Sequence, residues 1–304
     1  MNETFFTTAD FVQAWSHVFG KNLRPFAISV DGSGPSRTMY GIQTFATLGR
    51  YSISLAPNGL YASPGWDGAL EQSTLIGIMR QLKHFRTIRF TWNVRFDHLS
   101  LAEGLAALGL KFQRRSTHIL TLEQGYKNIF AGYNSTSRNE VRSSHRRGVT
   151  VRPVKIREDI SAYFQIHCQL FQQKGIDQIQ YPVELFFELI QNHENVRLLV
   201  AEFEGKIIGG GVFFRDGCSV LYWHGATDRT YSNLFPSRAI IDAAIHWACE
   251  NKVKFFNFGN SAGITSLENF KASWGACVEH NWSFEWTNYF WVILTSLKGK
   301  LSNA

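Results

Sequence analysis

The sequence predicts an α/β (α+β) protein made of two similar halves, each a mixed, largely antiparallel sheet flanked by helices. Three observations carry this. Displacing the chain by 166 positions lays residues 75–84 on 241–250, 89–92 on 255–258, Leu101 on Leu267, Gly109 on Gly275 and 112–121 on 278–287, with no gap. A match of that extent reads as two copies of one supersecondary unit. Next, three strand-type runs at 196–203, 206–215 and 219–225 are separated by Glu204-Gly205 and Asp216-Gly217, turns suited to hairpins. Finally, Leu75, Ile78, Met79 and Leu82 recur at helical spacing.

The elements follow in order. A helix is expected over 8–19, capped by Thr8 or Asp10, then strands at 37–48 and 51–55. After the loop Ser63-Pro64-Gly65-Trp66-Asp67-Gly68 come a helix over 70–84, a strand over 87–93 and a helix over 100–108. Gly109 ends that helix, and a strand covers 112–122. Residues 125–148 are polar and close on a helix ended by Gly148. The second half starts with a strand at 150–154 and helices over 159–174 and 183–192. The three hairpin strands follow, then a loop at 227–235, a long helix to about 251, a strand from 255, a short helix from 265 and a strand at 279–286. This gives a first domain over 1–135, a basic linker helix over 136–149 and a second domain over 150–304. Val141 is the only sizeable apolar residue of this helix before Gly148 ends it, and the helix reads as solvated.

Of 304 residues, 44% are hydrophobic and 14% aromatic, a globular composition with a full core. The net charge of +7 favours anionic partners such as phosphate-bearing substrates, RNA or an acidic membrane surface. Four cysteines, Cys168, Cys218, Cys249 and Cys277, form no C-x-x-C pair, and reduced, buried thiols are expected. The N-terminus lacks the basic and apolar stretches of a secretory signal, and no apolar run reaches membrane-span length. A cytoplasmic protein is therefore expected, with contact at the inner face of the membrane as an option. Motifs for serine hydrolases, zinc proteases, P-loops and dinucleotide binding are absent from the sequence.

The chemistry concentrates in 254–275, where a strand, a glycine-rich turn and a short helix bring Phe270-Lys271 to a strand end. A cation there can stabilise an oxyanion; the ordinary alternative is a surface lysine. Thr265-Ser-Leu-Glu268 matches a capping box, which makes Glu268 a cap rather than a base. Asn257 and Gly259 end the strand, where a substrate meets open backbone groups. Phe270 either lines a groove or packs the core. Arg138, Arg142 and Arg146 fall at i, i+4 and i+8, one face of a helix, for phosphate contact or for solvent. Tyr222 and His224, two apart on a strand, share a face by its period. His224, with Asp228, is either a general base or a structural histidine.

Together, the basic segment Arg138 to Val149, Tyr222-Trp-His-Gly-Ala226 with Asn233-Leu-Phe-Pro-Ser237, and Asn257-Phe-Gly259 with Phe270-Lys271 and Trp274-Gly275 resemble the FemABX-type aminoacyltransferases of the GNAT superfamily over nearly the whole chain. The resemblance implies two tandem GNAT-like domains with the active site in the second, and an amine attacking an activated ester or thioester. Lys271 then steadies the developing charge and His224, water or the substrate takes the proton. Substrate-binding roles fall to Phe270, Tyr222, Asn257, Gly259 and the three arginines. Tyr181 lies in a region that holds acceptor-binding aromatics in relatives. No resident cofactor is implied: the co-substrate is aminoacyl-tRNA or, alternatively, acyl-CoA. Implied partners are tRNA, an anionic cell-wall precursor or peptide-like acceptor, and a peripheral membrane surface; a non-catalytic RNA- or membrane-binding protein is the rival of another class. One departure matters. The glycine-rich pyrophosphate loop of GNAT enzymes is replaced by Arg229-Thr-Tyr-Ser-Asn-Leu-Phe-Pro236, with fewer backbone amides free to wrap a pyrophosphate.

Overall fold

The computed structural model describes residues 9–19, 22–30, 37–48, 51–54, 60–61, 76–77, 80, 89–95, 99–173, 175, 181–191, 194–261 and 263–287. The greater part of the expected 70–84 helix and the Ser63–Gly68 loop lie outside them. Two compact units are present: Met1–Arg115 with His280–Ala304, and Ser116–Glu279. Among the described residues no helix is long and apolar enough to cross a membrane.

In the first unit, helix α1 (Ala9–Phe19) precedes strands β1 (Asn22–Val30), β2 (Arg37–Leu48), β3 (Tyr51–Ser54), β4 (Leu60–Tyr61) and β5 (Arg89–Arg95). Helix α2 (Leu99–Ala107) and strand β6 (Lys111–Thr121) follow, with β6 passing into the second unit at Ser116. The order of pairing is β1-β2-β4-β5, with β3 also on β2. The strand at β1 was not expected from the sequence. In the second unit come α3 (Tyr126–Gly132), α4 (Ser135–Arg146), β7 (Thr150–Pro153), α5 (Arg157–Gln173), α6 (Val183–Gln191), β8 (Val196–Phe203), β9 (Lys206–Asp216) and β10 (Ser219–Thr227). The chain then forms a 3-10 turn at Arg229–Leu234, α7 (Pro236–Glu250), β11 (Phe255–Asn260), α8 (Thr265–Ala272) and β12 (Cys277–Thr287). The sheet order in this unit is β6-β11-β10-β9-β8-β7, antiparallel except for β10 and β11.

The duplication is visible in the elements. β5 and β11 begin 166 residues apart, as do α2 and α8, and β6 and β12 match at both ends. Gly109 and Gly275 both take positive φ, 77° and 80°, and close equivalent helices with amides on Ala106 and Ala272. The final strands are exchanged, however. β6, last in the first copy, pairs with β11, and β12, last in the second copy, pairs with β5.

Each face of the second unit's sheet is covered. On β9 a Cβ added at Gly210 would lie 2.5 Å from the Tyr163 ring of α5, and one at Gly211 would lie 3.1 Å from Ile240 of α7. Successive strand residues face opposite ways, so α5 and α7 lie on opposite faces. The glycines of 209–211 permit this close approach. The core on the α7 face gathers Phe213, Phe256, Phe258, Trp274, Leu120 and the buried side of α7.

Helix α4 corrects the expectation of a solvated linker. Asn134 caps it by accepting from the Ser137 amide at 2.7 Å. Val141 is 2% exposed and belongs to the core, while Ser137 and Ser144 are fully buried beside it. These three form an i, i+4, i+7 stripe in which serine replaces hydrocarbon. Ser137 Oγ donates towards Ser273 at 3.0–3.1 Å, which is why it can be buried. The four cysteines are free, as expected, yet Cys218 and Cys277 are exposed rather than buried. Truncation by Val141→Ala is expected to cost about 2 kcal/mol in chemical denaturation; a solvated helix would lose under about 0.5 kcal/mol.

Candidate active site

The parallel pair of β10 and β11 runs only from Ser219–Phe255 to Leu221–Asn257. Both strands are irregular just beyond it. β10 carries a bulge between Tyr222 and His224, and β11 shifts register against β6 between Asn257 and Asn260. Bulges re-aim side chains and carbonyls out of a ladder. The carboxyl ends of neighbouring parallel strands are where open α/β sheets receive ligands.

Gly259 sits in the β11 irregularity at φ 73°, a conformation that favours glycine. Its carbonyl accepts from Lys271 Nζ at 2.7 Å and from Thr117 Oγ1 at 3.0 Å. Asn257 Oδ1 accepts from Thr117 Oγ1 at 2.7 Å and from the Gly259 amide at 2.8 Å. Asn257, Gly259 and Lys271 are thus brought together as the sequence suggested. Lys271 is 3% exposed, so the ordinary surface reading fails. Burial pushes its ammonium down to about 8, and the Glu268 carboxylate opposes the shift. Glu268 does not cap α8: Ile264 holds the N-cap position, without a side-chain bond, and Thr265 already lies inside the helix. Glu268 Oε1 instead faces Ser116 Oγ at 3.4 Å.

Sequence reasoning missed the β6 contribution. Ser116, Thr117 and His118 were read as part of the first half, and the strand exchange delivers them here. His118 is 1% exposed; burial and Lys271 hold its imidazole below the ordinary 6.5, against Glu268.

Phe270 is half-buried and packs against its neighbours. Its ring meets Trp274 edge-on at 6.2 Å, and the Arg238 guanidinium lies over it at 4.4 Å. Arg238 also donates to Glu140 at 2.7 Å and Ser273 Oγ at 2.8 Å, tying α7 to α4 and to the end of α8. This clamp fixes the helix that carries Lys271.

The bulge in β10 separates Tyr222 from His224, correcting the shared-face expectation. Tyr222 stacks on Phe213 at 5.1 Å on the α7 side, and burial pushes its phenol up to about 12. His224 points to the α5 side. Its Nδ1 is 2.9 Å from Tyr163 Oη, and its Nε2 is 2.6 Å from Nε2 of His167. Burial pushes His167 down to about 4. Asp228, the expected partner of His224, accepts from Thr230 and lies 3.7 Å from Lys206. Both nitrogens of His224 are engaged, which favours the structural reading of that residue. Tyr181 is half-buried against Trp223 on the same side, ring centroids 5.0 Å apart.

The three arginines are not one equivalent set. Arg138 is half-buried and donates to the carbonyls of Ala131 and Tyr133, closing α3. Arg142 and Arg146 are exposed, with Arg142 over the Phe130 ring at 5.4 Å. Arg147, also exposed, donates to the Asn233 carbonyl at 3.1 Å.

Residues 134–272 match the family described as Acetyltransferase (GNAT) domain. A UDP-N-acetylmuramoylpentapeptide-lysine N(6)-alanyltransferase of Weissella viridescens is 24% identical over 132 residues, 42% of this chain and 38% of that protein. The match thus spans well under half the length of that relative. A crystal structure of FemX superposes with a TM-score of 0.72 at 13% identity, covering 97% of this chain and 94% of that one. A tandem GNAT protein from the clavulanic acid biosynthesis pathway gives 0.51 at 12% identity, over 87% and 83% of the two chains. L-PGS from Bacillus licheniformis gives 0.51 at 13% identity, over 90% of each chain. In fold the chain is similar to FemX, and its residues 134–272 match the GNAT acetyltransferase domain.

Proposed function

We propose that the chain is an N-acyltransferase in which an amine attacks an activated acyl carbonyl and Lys271 stabilises the oxyanion. The observation that carries this reading is the buried Lys271 Nζ held 2.7 Å from the Gly259 carbonyl, where β10 and β11 cease to pair. A donor that already points at a carbonyl oxygen in a water-poor site is preorganised for an oxyanion. The fold supplies no other reason for a cation there: the equivalent residue of the first copy, 166 positions earlier, is Leu105, which is fully buried.

The acceptor in this reading is an amine of a peptidoglycan precursor, the substrate class named for the Weissella relative. The donor is an aminoacyl-tRNA. Two features support it. The segment before α7 offers Phe235 at φ 54° and Pro236 in place of a glycine loop, and Arg142 and Arg146 present exposed charge for phosphates. Acyl-CoA is the second reading, favoured by the acetyltransferase family match over 134–272. Incubating the purified chain with UDP-N-acetylmuramoyl-pentapeptide and either labelled alanyl-tRNA or acetyl-CoA separates them by mass spectrometry of the product. Transfer from alanyl-tRNA is expected; transfer from acetyl-CoA alone overturns the tRNA donor, and none from either overturns the transferase reading for this acceptor.

Replacing Lys271 by the leucine of the other copy is expected to lower the transfer rate about 10²–10³-fold, the usual loss for one oxyanion donor. In the wild type the charged lysine is required, so the rate falls as pH rises through about 8. Stability moves the opposite way. The folded-state value lies below the ordinary 10.5, so the cost of burying the charge is full below pH 8 and is relieved as pH rises towards 10. Lys271→Leu is expected to stabilise the fold by about 2 kcal/mol at pH 7, from ~3 for the buried charge less ~1 for the lost hydrogen bond. Denaturation at pH 7 and pH 10 checks that the advantage shrinks at the higher pH.

A further inference from the structure

The two copies of the repeat act as a control on each other. In the first unit the ladder of β5 with β12 is unbroken from Arg89–Thr287 to Arg95–Asn281. In the second, the matching ladder of β11 with β6 is regular over Phe255–Thr121, Phe256–Leu120 and Asn257–Ile119, then slips by one residue before Asn260–Thr117. The slip is at Gly259, whose counterpart is Asn93. Around it, Lys271 stands where the first unit has Leu105, Glu268 where it has Ala102, and His118 where it has Phe284. Leu105 is fully buried and Phe284 is 1% exposed, packed 5.6 Å from Phe112. Hydrocarbon therefore satisfies this architecture at both positions, and the polar pair costs desolvation that folding does not require.

His118 is the member of this set without a role. It follows Thr117, which shares the Gly259 carbonyl with Lys271, and Ser116, which faces Glu268. Its Nδ1 is buried and has no hydrogen-bond partner among the described residues. A buried, unpaired imidazole nitrogen is costly to the fold until something bonds it. The alternative base, His224, has both nitrogens occupied by Tyr163 and His167.

We infer that His118 is the second functional group of the Lys271 site, and that its Nδ1 takes the proton lost by the attacking amine. This rests on the transferase reading above. As the N–C bond forms, the amine proton passes to His118. As the ester C–O bond breaks, the imidazolium returns that proton to the leaving hydroxyl. Burial and, after it, the neighbouring Lys271 ammonium keep His118 neutral beforehand, and the ammonium speeds release of the proton afterwards, because two adjacent cations repel. His118 comes from the first copy's last strand, so the site is completed only by the strand exchange.

The test has two arms on the full-length chain. In the first, His118→Phe, the residue of the other copy, is assayed with alanyl-tRNA and UDP-N-acetylmuramoyl-pentapeptide. At least a 10²-fold loss with a melting temperature at or above that of the wild type is expected, together with loss of the wild-type fall in rate at acid pH. A wild-type rate and pH profile overturns the proposal; His118→Leu is the second variant if phenylalanine prevents folding. In the second arm, histidine-¹⁵N NMR follows the His118 titration without substrate. In Lys271→Leu it is expected to move to higher pH, and an unmoved titration overturns the pairing. A wild type that transfers nothing counts against the proposed function instead, and the NMR arm still decides the pairing of His118 with Lys271.

Discussion

A buried ammonium resting on a strand carbonyl is the constraint from which the rest of the second unit follows. Lys271 can be held there only because Gly259 turns its carbonyl out of the β11 ladder, which a positive φ allows. Thr117 and Asn257 brace that turn, and Glu268 offsets part of the charge. Behind them, the Arg238 clamp on Glu140, Ser273 and the rings of Phe270 and Trp274 fixes the direction of α8.

Much of this was legible in the sequence. The 166-residue displacement located β5 with β11, α2 with α8 and β6 with β12, because helical and strand periods and the closing glycines Gly109 and Gly275 survive in both copies. It also marked Lys271 as a difference between copies. Strand pairing was not legible: alternation along a strand tells which residues share a face, not which neighbour that strand joins. The exchange of β6 and β12 hid Thr117 and His118 from the site for this reason.

Other misreadings have local causes. Counting apolar residues on α4 found one, Val141, and overlooked Ser137 and Ser144, which are buried with it. The period of two placed Tyr222 and His224 together, but one extra residue at the bulge puts Trp223 between them out of step. The capping-box pattern at 265–268 failed because the helix begins one residue earlier than the pattern requires.

These particulars describe a duplicated fold in which one copy keeps hydrocarbon where the other carries ionisable side chains. The most direct test of that account is the titration of Lys271 itself, read from its Nζ and Cε signals by NMR in the full-length chain. A midpoint near 8 is predicted by its burial. A midpoint at the ordinary 10.5 would mean that the ammonium is solvated, and would contradict the claim that the fold holds a desolvated cation at the end of β11.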